Sequence, residues 1–264
     1  MPGAGVSSTS LSPGPLTEGS ARVELLGIPL DRCTLAEALA SCGEAVNGAG
    51  PPLQVVTLNP EMVMQARRQP ELAQAIRQAG LILADGAGVV WGARRMAMAV
   101  PERIAGADFL GRLAEVACQR DWSLFLLGAG PGVADAAARR LEHDHPGLRI
   151  AGTWSGSPAV AEAPAICSQI SSSGAMLLAV AFGVPQQDLW LARFLGLTGA
   201  RVGIGVGGSL DYLAGRVPRA PALLRRLGLE WTFRLVRQPW RLPRMVRGGR
   251  FFWEVWRDAS RSSR

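Results

Sequence analysis

The chain has 264 residues, of which 48% are hydrophobic, so it can bury a substantial core as one large α/β domain or two smaller ones. Its histidines are His143 and His145, and its four cysteines show no metal-ligand spacing, which argues against a histidine-based catalytic triad and against a zinc site. The net charge is +7, and no apolar run approaches the roughly 18–20 residues that span a bilayer, so any membrane contact is expected to be peripheral.

The predicted elements follow a Ser-, Gly- and Pro-rich segment, residues 1–20, that is expected to be disordered and lacks signal-peptide features. In chain order they begin with a strand at 22–30, a helix from the Thr34 cap to about Val46, a strand at 53–58, helices at 61–68 and 71–79, and a strand at 81–84. Helices at 89–98 and 108–120 precede a strand at 123–128, a helix at 132–143 and a strand at 148–153. A helix at 159–171, a strand at 176–182, a helix at 186–195 and a strand at 201–206 follow.

Buried apolar strands that alternate with amphipathic helices predict a Rossmann-like α/β fold, with a mainly parallel sheet and helices on both faces. We expect this domain to cover residues 21–228. Sheets of this kind bind ligands beyond the carboxyl ends of their strands. The candidate sites are therefore the loops at Asn59, Asp85, Gly128 and Gly207.

The C-terminal segment, residues 229–264, is predicted to be a helical appendage rich in Arg and Trp. Residues 216–264 contain 13 arginines and three acidic residues, a net charge of +10, and four of the eight tryptophans. Arginine suits phosphate groups and tryptophan favours the hydrocarbon–water boundary, so the appendage is expected to lie on a membrane surface. The side chains expected to contact anionic lipid are Arg247, Arg250, Phe251, Phe252, Trp253 and Trp256. The alternative is a helix that packs its aromatic residues on the body and leaves its arginines in solvent.

Polar residues end two of the predicted strands. Thr57 and Asn59 close the strand at 53–58 and precede Pro60, so Asn59 is either a helix N-cap or, with Thr57, a contact for a sugar. Asp85 follows the strand at 81–84. Its carboxylate can take a proton from a hydroxyl nucleophile, if partial burial raises its pKa, or it caps the next helix.

Two glycine-rich turns follow later strands. Gly128 and Gly130 lie between a strand and a helix, as in a dinucleotide fingerprint, but no acidic ribose ligand ends the next strand. This turn either holds a nucleotide phosphate, as in an NAD-dependent oxidoreductase, or serves tight packing. The second turn either lets backbone N–H groups approach an anion or is a packed turn. Its residues are Gly205, Gly207 and Gly208, followed by Asp211.

Several motifs occur together in a fixed order. They are Thr57-x-Asn59-x-Glu61, Asp85-Gly-x-Gly88-Val-Val-Trp91, Arg103-x-x-Gly106-x-Asp108, Gly128-x-x-Pro-Gly132, Gly183-x-Pro185-x-Gln187 and Gly205-Val-Gly-Gly208-x-x-Asp211. Arg219-Ala-Pro221, Leu229-Glu-Trp231 and Arg234-Leu-x-x-x-Pro239 follow. Over about residues 22–247 the chain resembles the WecG/TagA/CpsF family, glycosyltransferase family 26, which includes N-acetylmannosaminyltransferases.

The resemblance implies an inverting, metal-independent transfer of N-acetylmannosamine or a related hexose from a UDP-sugar to a polyprenyl-diphosphate-linked sugar. It also implies that the enzyme needs no cofactor and that it works at the cytoplasmic face of the bacterial membrane. The product would serve the synthesis of cell-surface polysaccharide or of a polymer of the teichoic-acid type. No nucleic-acid partner is expected, and a homo-oligomer is left open. By similarity, Asp85 is the general base, the substrate pocket contains Thr57, Asn59 and Gln187, and the diphosphate is held by Arg234, Arg241 and Arg244.

Two positions depart from the usual pattern of that family. Pro185-Gln186-Gln187-Asp188 stands where members commonly have Pro-Lys-Gln-Glu, which removes a positive charge and shortens an acid. Trp154 stands where many members have Tyr or Phe. Both departures bear on the choice of donor or acceptor.

The residues favour the same chemistry on physical grounds. The sequence has no D-x-D cluster for a metal, so arginine is expected to neutralise the departing UDP while one carboxylate activates the acceptor hydroxyl. A nucleic-acid-binding protein would also use the basic tail, but it would leave the Asp85 and Gly207 loops without purpose.

Overall fold

The structure is a computed structural model that describes residues 22–221, 224, 230–237 and 242–262. For residues 230, 231, 234, 242–248 and 262 it describes the backbone alone. The segment predicted to be disordered, residues 1–20, and the boundary predicted near residue 229 lie outside the described residues.

A parallel sheet of six strands forms the centre of the described chain and confirms the predicted fold class. Its strands are β3 (Leu53–Leu58), β4 (Leu81–Ala84), β5 (Ser123–Gly128), β6 (Arg149–Trp154), β7 (Leu177–Ala181) and β8 (Val202–Gly205). Their order across the sheet is β4-β3-β8-β7-β5-β6, and every neighbouring pair is parallel. All carboxyl ends therefore meet at one edge, where such sheets bind ligands.

The single strand predicted at residues 22–30 is wrong, because the chain folds back on itself there. β1 (Arg22–Leu25) and β2 (Ile28–Asp31) form an antiparallel hairpin outside the main sheet. Leu26 and Gly27 have φ values of 54° and 80°, the two positive values that a tight two-residue hairpin turn needs. The buried Asp31 accepts a hydrogen bond from the Ile82 N–H at 2.7 Å, so the hairpin covers the outer edge of β4.

Three helices begin at the capping residue or proline that predicted them, whereas the helix predicted at 159–171 begins later, at Ala163. Thr34 caps the first helix through a reciprocal capping box with Glu37, and two further helices have Pro at their first position. The helices are α1 (Leu35–Asn47), α2 (Pro60–Ala66), α3 (Pro70–Gln78), α4 (Ala87–Arg95), α5 (Gly106–Arg120), α6 (Val133–Asp144), α7 (Ala163–Ser173), α8 (Gln186–Phe194), α9 (Ser209–Leu213), α10 (Glu230–Arg237) and α11 (Leu242–Ser262). None of the described helices is both long and apolar enough to cross a membrane.

Alternate residues of each strand face opposite sides of the sheet and build separate cores. Leu124 and Leu126 of β5 pack with α1, α5, α6 and α9 on one side. Phe125 and Leu127 pack with α7 and α8 on the other side, next to a core formed by the hairpin, α2, α3 and α4. Both faces of the sheet are thus covered by helices, as predicted.

Helix α11 packs against the body rather than lying free. Phe251 and Val255 are fully buried in the core that includes α2 and α4. The contact is close because α4 presents two glycines there: a Cβ on Gly92 would lie 2.7 Å from Phe251 Cζ, and one on Gly88 would lie 3.2 Å from Phe252 Cζ. Phe251, predicted to contact lipid, is instead a core residue, whereas Phe252, Trp253 and Trp256 remain exposed.

Candidate active site

Asn59 and Asp85 lie side by side at the carboxyl edge of the sheet. Leu58 and Ala84 are directly paired in the β3–β4 ladder, and the Asp85 N–H donates to the Leu58 carbonyl at 2.8 Å. Each residue comes directly after one member of that pair. Two polar side chains that are 26 positions apart in sequence are thereby brought to one place.

Asp85 is partly buried and is not sealed in the core. The N-cap of α4 is Gly86, with φ of 91°, so Asp85 does not occupy the capping position that was its alternative interpretation. A carboxylate that is half-buried at this edge can be reached by a hydroxyl group. Its role as the base stays a prediction.

Asn59 and Thr57 both have structural roles. The Asn59 side-chain carbonyl accepts the Met62 N–H at 3.0 Å and caps α2, which leaves its amide nitrogen outside that bond. Thr57 is 7% exposed, and its hydroxyl donates to the Gly205 carbonyl at 3.4 Å. Thr57 thus joins β3 to β8 at the edge where both strands end, and the predicted sugar contacts of these two residues stay predictions.

Gln187 reaches from α8 to the second glycine-rich turn. Its side chain is 2% exposed, and its Oε1 accepts the Gly207 N–H at 2.9 Å. A Cβ on Gly205 would lie 2.5 Å from Gln187 Nε2, so only glycine leaves room for the amide. Gln187 therefore holds the Gly207 turn in its conformation, and contact with substrate remains a prediction.

Asp188 is a buried carboxyl group next to this contact. It is 0% exposed, and neither carboxylate oxygen makes a hydrogen bond of good geometry within the described part of the chain. Burial raises the pKa of Asp188 to about 7, and its own N–H and the Gln187 side chain lower the pKa by less than burial raises it. The shortened acid that departs from the family pattern is thus removed from solvent.

The two glycine turns are shaped differently. Gly207 has φ of 49°, and Asp211 Oδ2 would lie 3.8 Å from a Cβ on Gly208, so this carboxylate flanks the turn. Gly128 has φ of 95°, and a Cβ there would lie 2.9 Å from the Phe182 ring, which supports the packing interpretation of that turn. Because β7 separates β8 from β5, the turns are about 10 Å apart.

Two arginines at this edge were not assigned roles from the sequence. Arg216 donates to the Pro131 carbonyl at 2.8 Å, and its guanidinium would lie 3.8 Å from a Cβ on Gly130 or Gly132. Arg103 follows α4, and the Ile104 N–H donates to the Ala84 carbonyl at 2.9 Å, which brings Arg103 beside the end of β4. In the sequence, the Arg103-x-x-Gly106 motif was the pattern that could have indicated Arg103.

For the three arginines predicted to hold the diphosphate, the structure describes no side chain. Arg241 lies outside the described residues. Arg234 belongs to α10 and Arg244 to α11, and their side chains are not among the described ones. Their roles stay predictions. Arg219, earlier in the tail, pairs with Asp108 at 2.6 Å and ties the start of the tail to α5.

A cavity of about 290 Å³ lies at the far end of the same edge, beyond β6. Trp154, the aromatic residue that departs from the family pattern, is in its wall with Thr153 and Asp135, whose side chains are hydrogen-bonded to each other. A second cavity, about 420 Å³, lies between α3 and α8 and includes neither Asp85 nor the glycine turns. Among the described residues, no group of three His, Cys, Asp or Glu side chains is arranged to hold a metal ion.

A parallel sheet with a half-buried aspartate and two glycine turns at its carboxyl edge defines the class of Rossmann-like α/β enzymes. The sequence profile of the glycosyl transferase WecG/TagA/CpsF family matches residues 23–264. The chain belongs to this family and is therefore a glycosyltransferase. This finding does not favour the alternative of an NAD-dependent oxidoreductase.

Three similar proteins carry the name N-acetylglucosaminyldiphosphoundecaprenol N-acetyl-beta-D-mannosaminyltransferase. A Bacillus spizizenii relative is 34% identical over 192 residues, which cover 73% of this chain and 74% of the relative. A Bacillus subtilis relative is 33% identical over the same length. A Staphylococcus aureus relative is 30% identical over 216 residues, which cover 81% of this chain and 84% of the relative.

Proposed function

We propose that this glycosyltransferase moves N-acetylmannosamine, or a related hexose, from a UDP-sugar to a lipid-diphosphate-linked N-acetylglucosamine, without a metal ion. The observation that carries the proposal is the half-buried Asp85 beside Asn59 at the sheet edge, in a chain that is 30–34% identical to three proteins named as N-acetylmannosaminyltransferases. Polymers of the bacterial cell surface are the expected destination of the product.

Asp85 acts as the general base. Its carboxylate takes the proton of the acceptor hydroxyl while that oxygen bonds to the anomeric carbon of the donor. The bond from that carbon to UDP breaks on the opposite face, so the configuration inverts. One base at hydrogen-bonding distance of the hydroxyl is the requirement for this step.

Positive charge is needed on the departing diphosphate. Arg234, Arg241 and Arg244 of the appendage supply it, because guanidinium groups bind phosphate oxygens in pairs. The nucleotide lies along the edge of the sheet, over the turn that contains Gly205, Gly207, Gly208 and Asp211, and it extends towards the packed turn that contains Gly128 and Gly130. Arg216, whose guanidinium lies against the Gly130 turn, adds charge on that side.

The enzyme works peripherally at the cytoplasmic face of the membrane. Phe252, Trp253 and Trp256 are 44%, 56% and 57% exposed and lie on one side of α11. Arg250 and Arg261 are exposed on another side of the same helix. Aromatic side chains and cations on one amphipathic helix are typical of attachment to an anionic lipid surface.

The test is incubation with a panel of UDP-sugars and a synthetic lipid-diphosphate N-acetylglucosamine acceptor, with products measured by mass spectrometry. Asp85→Asn should lower turnover at least a thousandfold while donor affinity, measured by calorimetry, changes little. Asp121→Asn is the matched control, because Asp121 is exposed at the opposite edge of the sheet, before β5. Near-normal turnover by Asp85→Asn would refute the base, and no transfer from any UDP-sugar by the unaltered enzyme would refute the donor class.

A further inference from the structure

Two exposed aromatic rings from different elements touch each other beside the candidate site. Trp91 of α4 is 40% exposed and Phe252 of α11 is 44% exposed. Their ring centroids are 5.1 Å apart at an interplanar angle of 52°. Single exposed apolar residues need no explanation, but contiguous ones indicate a contact surface.

This aromatic pair is connected to the mouth of the site through Pro60. A Cβ on Gly88 would lie 2.6 Å from Pro60 Cγ and 3.2 Å from Phe252 Cζ, so both side chains lie against the first turn of α4. Pro60 directly follows Asn59, and α4 starts two residues after Asp85. Trp91 is the fifth residue of α4, about 6 Å along the helix axis from its first residue. Pro60, Phe252 and Trp91 together are called the apolar strip.

The apolar strip lies where α11 packs on α4. Phe251, next to Phe252, is fully buried against Gly92, which places the part of α11 that carries Phe252 against α4. On α11, Trp256 and Trp253 lie about 40° and about 100° further around the helix than Phe252, so the strip borders the exposed aromatic face of that helix. Arg94 and Arg95 follow Trp91 in the last turn of α4, so positive charge lies at the outer end of the strip, farthest from Asp85.

The geometry points to the apolar strip as the subsite for the isoprenoid chain of the acceptor, at the end nearest the diphosphate. This inference depends on the proposed function, in which the acceptor sugar lies at Asp85 and a lipid chain leaves it through the diphosphate. The strip begins at that position and leads outward along α4. Aromatic and proline surfaces remove the hydrocarbon from water and so strengthen the binding of acceptors with longer chains.

The test uses two acceptors that share the N-acetylglucosaminyl diphosphate head and carry one or three isoprene units, below their micelle concentrations and without vesicles. For the unaltered enzyme, kcat/KM should be at least tenfold higher for the longer acceptor. Trp91→Ala should lower that ratio at least fivefold, and Trp91→Phe should restore most of it. Leu197→Ala, at a residue 66% exposed elsewhere on the surface, should leave the ratio unchanged.

Two outcomes overturn the inference: a ratio near one for the unaltered enzyme, or an unchanged ratio in Trp91→Ala, as when kcat/KM falls by the same factor for both acceptors. An unchanged ratio with weaker vesicle binding by Trp91→Ala would assign the strip to the bilayer instead. Calorimetry with farnesyl diphosphate and isopentenyl diphosphate gives a readout independent of transfer. A preference of at least tenfold for the farnesyl compound, lost in Trp91→Ala, would support the strip even if no sugar were transferred, whereas no preference would overturn it.

Discussion

Asp188 shows how a single buried group can make stability depend on pH. In the folded chain its pKa is raised to about 7, whereas the ordinary value is 3.8. Between these values the unfolded chain loses the proton and the folded chain keeps it. The free energy of unfolding therefore falls as pH rises through this window, by about 1.4 kcal/mol per pH unit, and levels off above pH 7.

Asp188→Asn removes this titration, because an amide does not ionise. We expect the free energy of unfolding of the variant, relative to the unaltered protein, to rise by about 2–3 kcal/mol between pH 5 and pH 7.5. Urea unfolding at the two pH values measures it. For the control Asp121→Asn, at an exposed aspartate, the difference in the free energy of unfolding from the unaltered protein should be similar at the two pH values. Parallel pH curves for Asp188→Asn and the unaltered protein would contradict the assignment.

Among the elements, α11 depends on the glycines of α4 for its docking. A methyl group on Gly92 would lie 2.7 Å from Phe251 Cζ and 3.3 Å from Val255 Cγ2. We expect Gly92→Ala to lower the free energy of unfolding by about 1–3 kcal/mol, because overpacking outweighs the better helix propensity of alanine. Trypsin should then cut more quickly at Arg250 and Arg257, and Phe251→Leu in the same chain should reverse part of both effects.

A matched control for this prediction lies on α5. Gly111 is also in a helix, but a Cβ there would meet nothing within 4 Å. Gly111→Ala should raise the free energy of unfolding by about 0.5–1 kcal/mol. If Gly92→Ala were stabilised to the same degree, α11 would not dock on α4 in solution.

On the scale of the whole molecule, charge and exposed aromatic area are both concentrated at the C-terminal end. Residues 216–264 carry +10 and the rest of the chain −3, so an anionic surface attracts one end of the enzyme. Each arginine near such a surface contributes about 1 kcal/mol. The protein is therefore expected to be held with α11 towards the lipid and the edge of the sheet close by.

The combined variant Trp253→Ala/Trp256→Ala should bind anionic vesicles at least tenfold more weakly than the unaltered protein in flotation assays. High salt should weaken vesicle binding by both the variant and the unaltered protein. Substitution is preferable to deletion of α11, since deletion would also uncover the core surface around Phe251 and Val255. Val160→Ala/Leu197→Ala removes two exposed apolar side chains elsewhere and is the control. Unchanged vesicle binding by the tryptophan variant would exclude the aromatic face of α11 as the membrane contact.

Local sequence was enough to predict the alternation of strands and helices and the positions of Asn59 and Asp85. Buried apolar runs bounded by Gly, Pro, Asn or Asp mark strand ends directly, and the predicted bounds of β3, β4 and β5 match those observed. The hairpin was missed because the Leu26-Gly27 turn lies within an apolar run, where hydropathy gives no break.

The folded chain alone revealed which distant residues meet. The strand order, the reach of Gln187 to Gly207, and the burial of Phe251 beside an exposed Phe252 all follow from contacts between separate segments. Hydropathy describes each residue type in isolation, so Phe251 and Phe252 are indistinguishable in sequence. Their surroundings differ because Phe251 packs on Gly92 within the core, whereas Phe252 lies at the margin of the same contact, near Gly88, and stays 44% exposed.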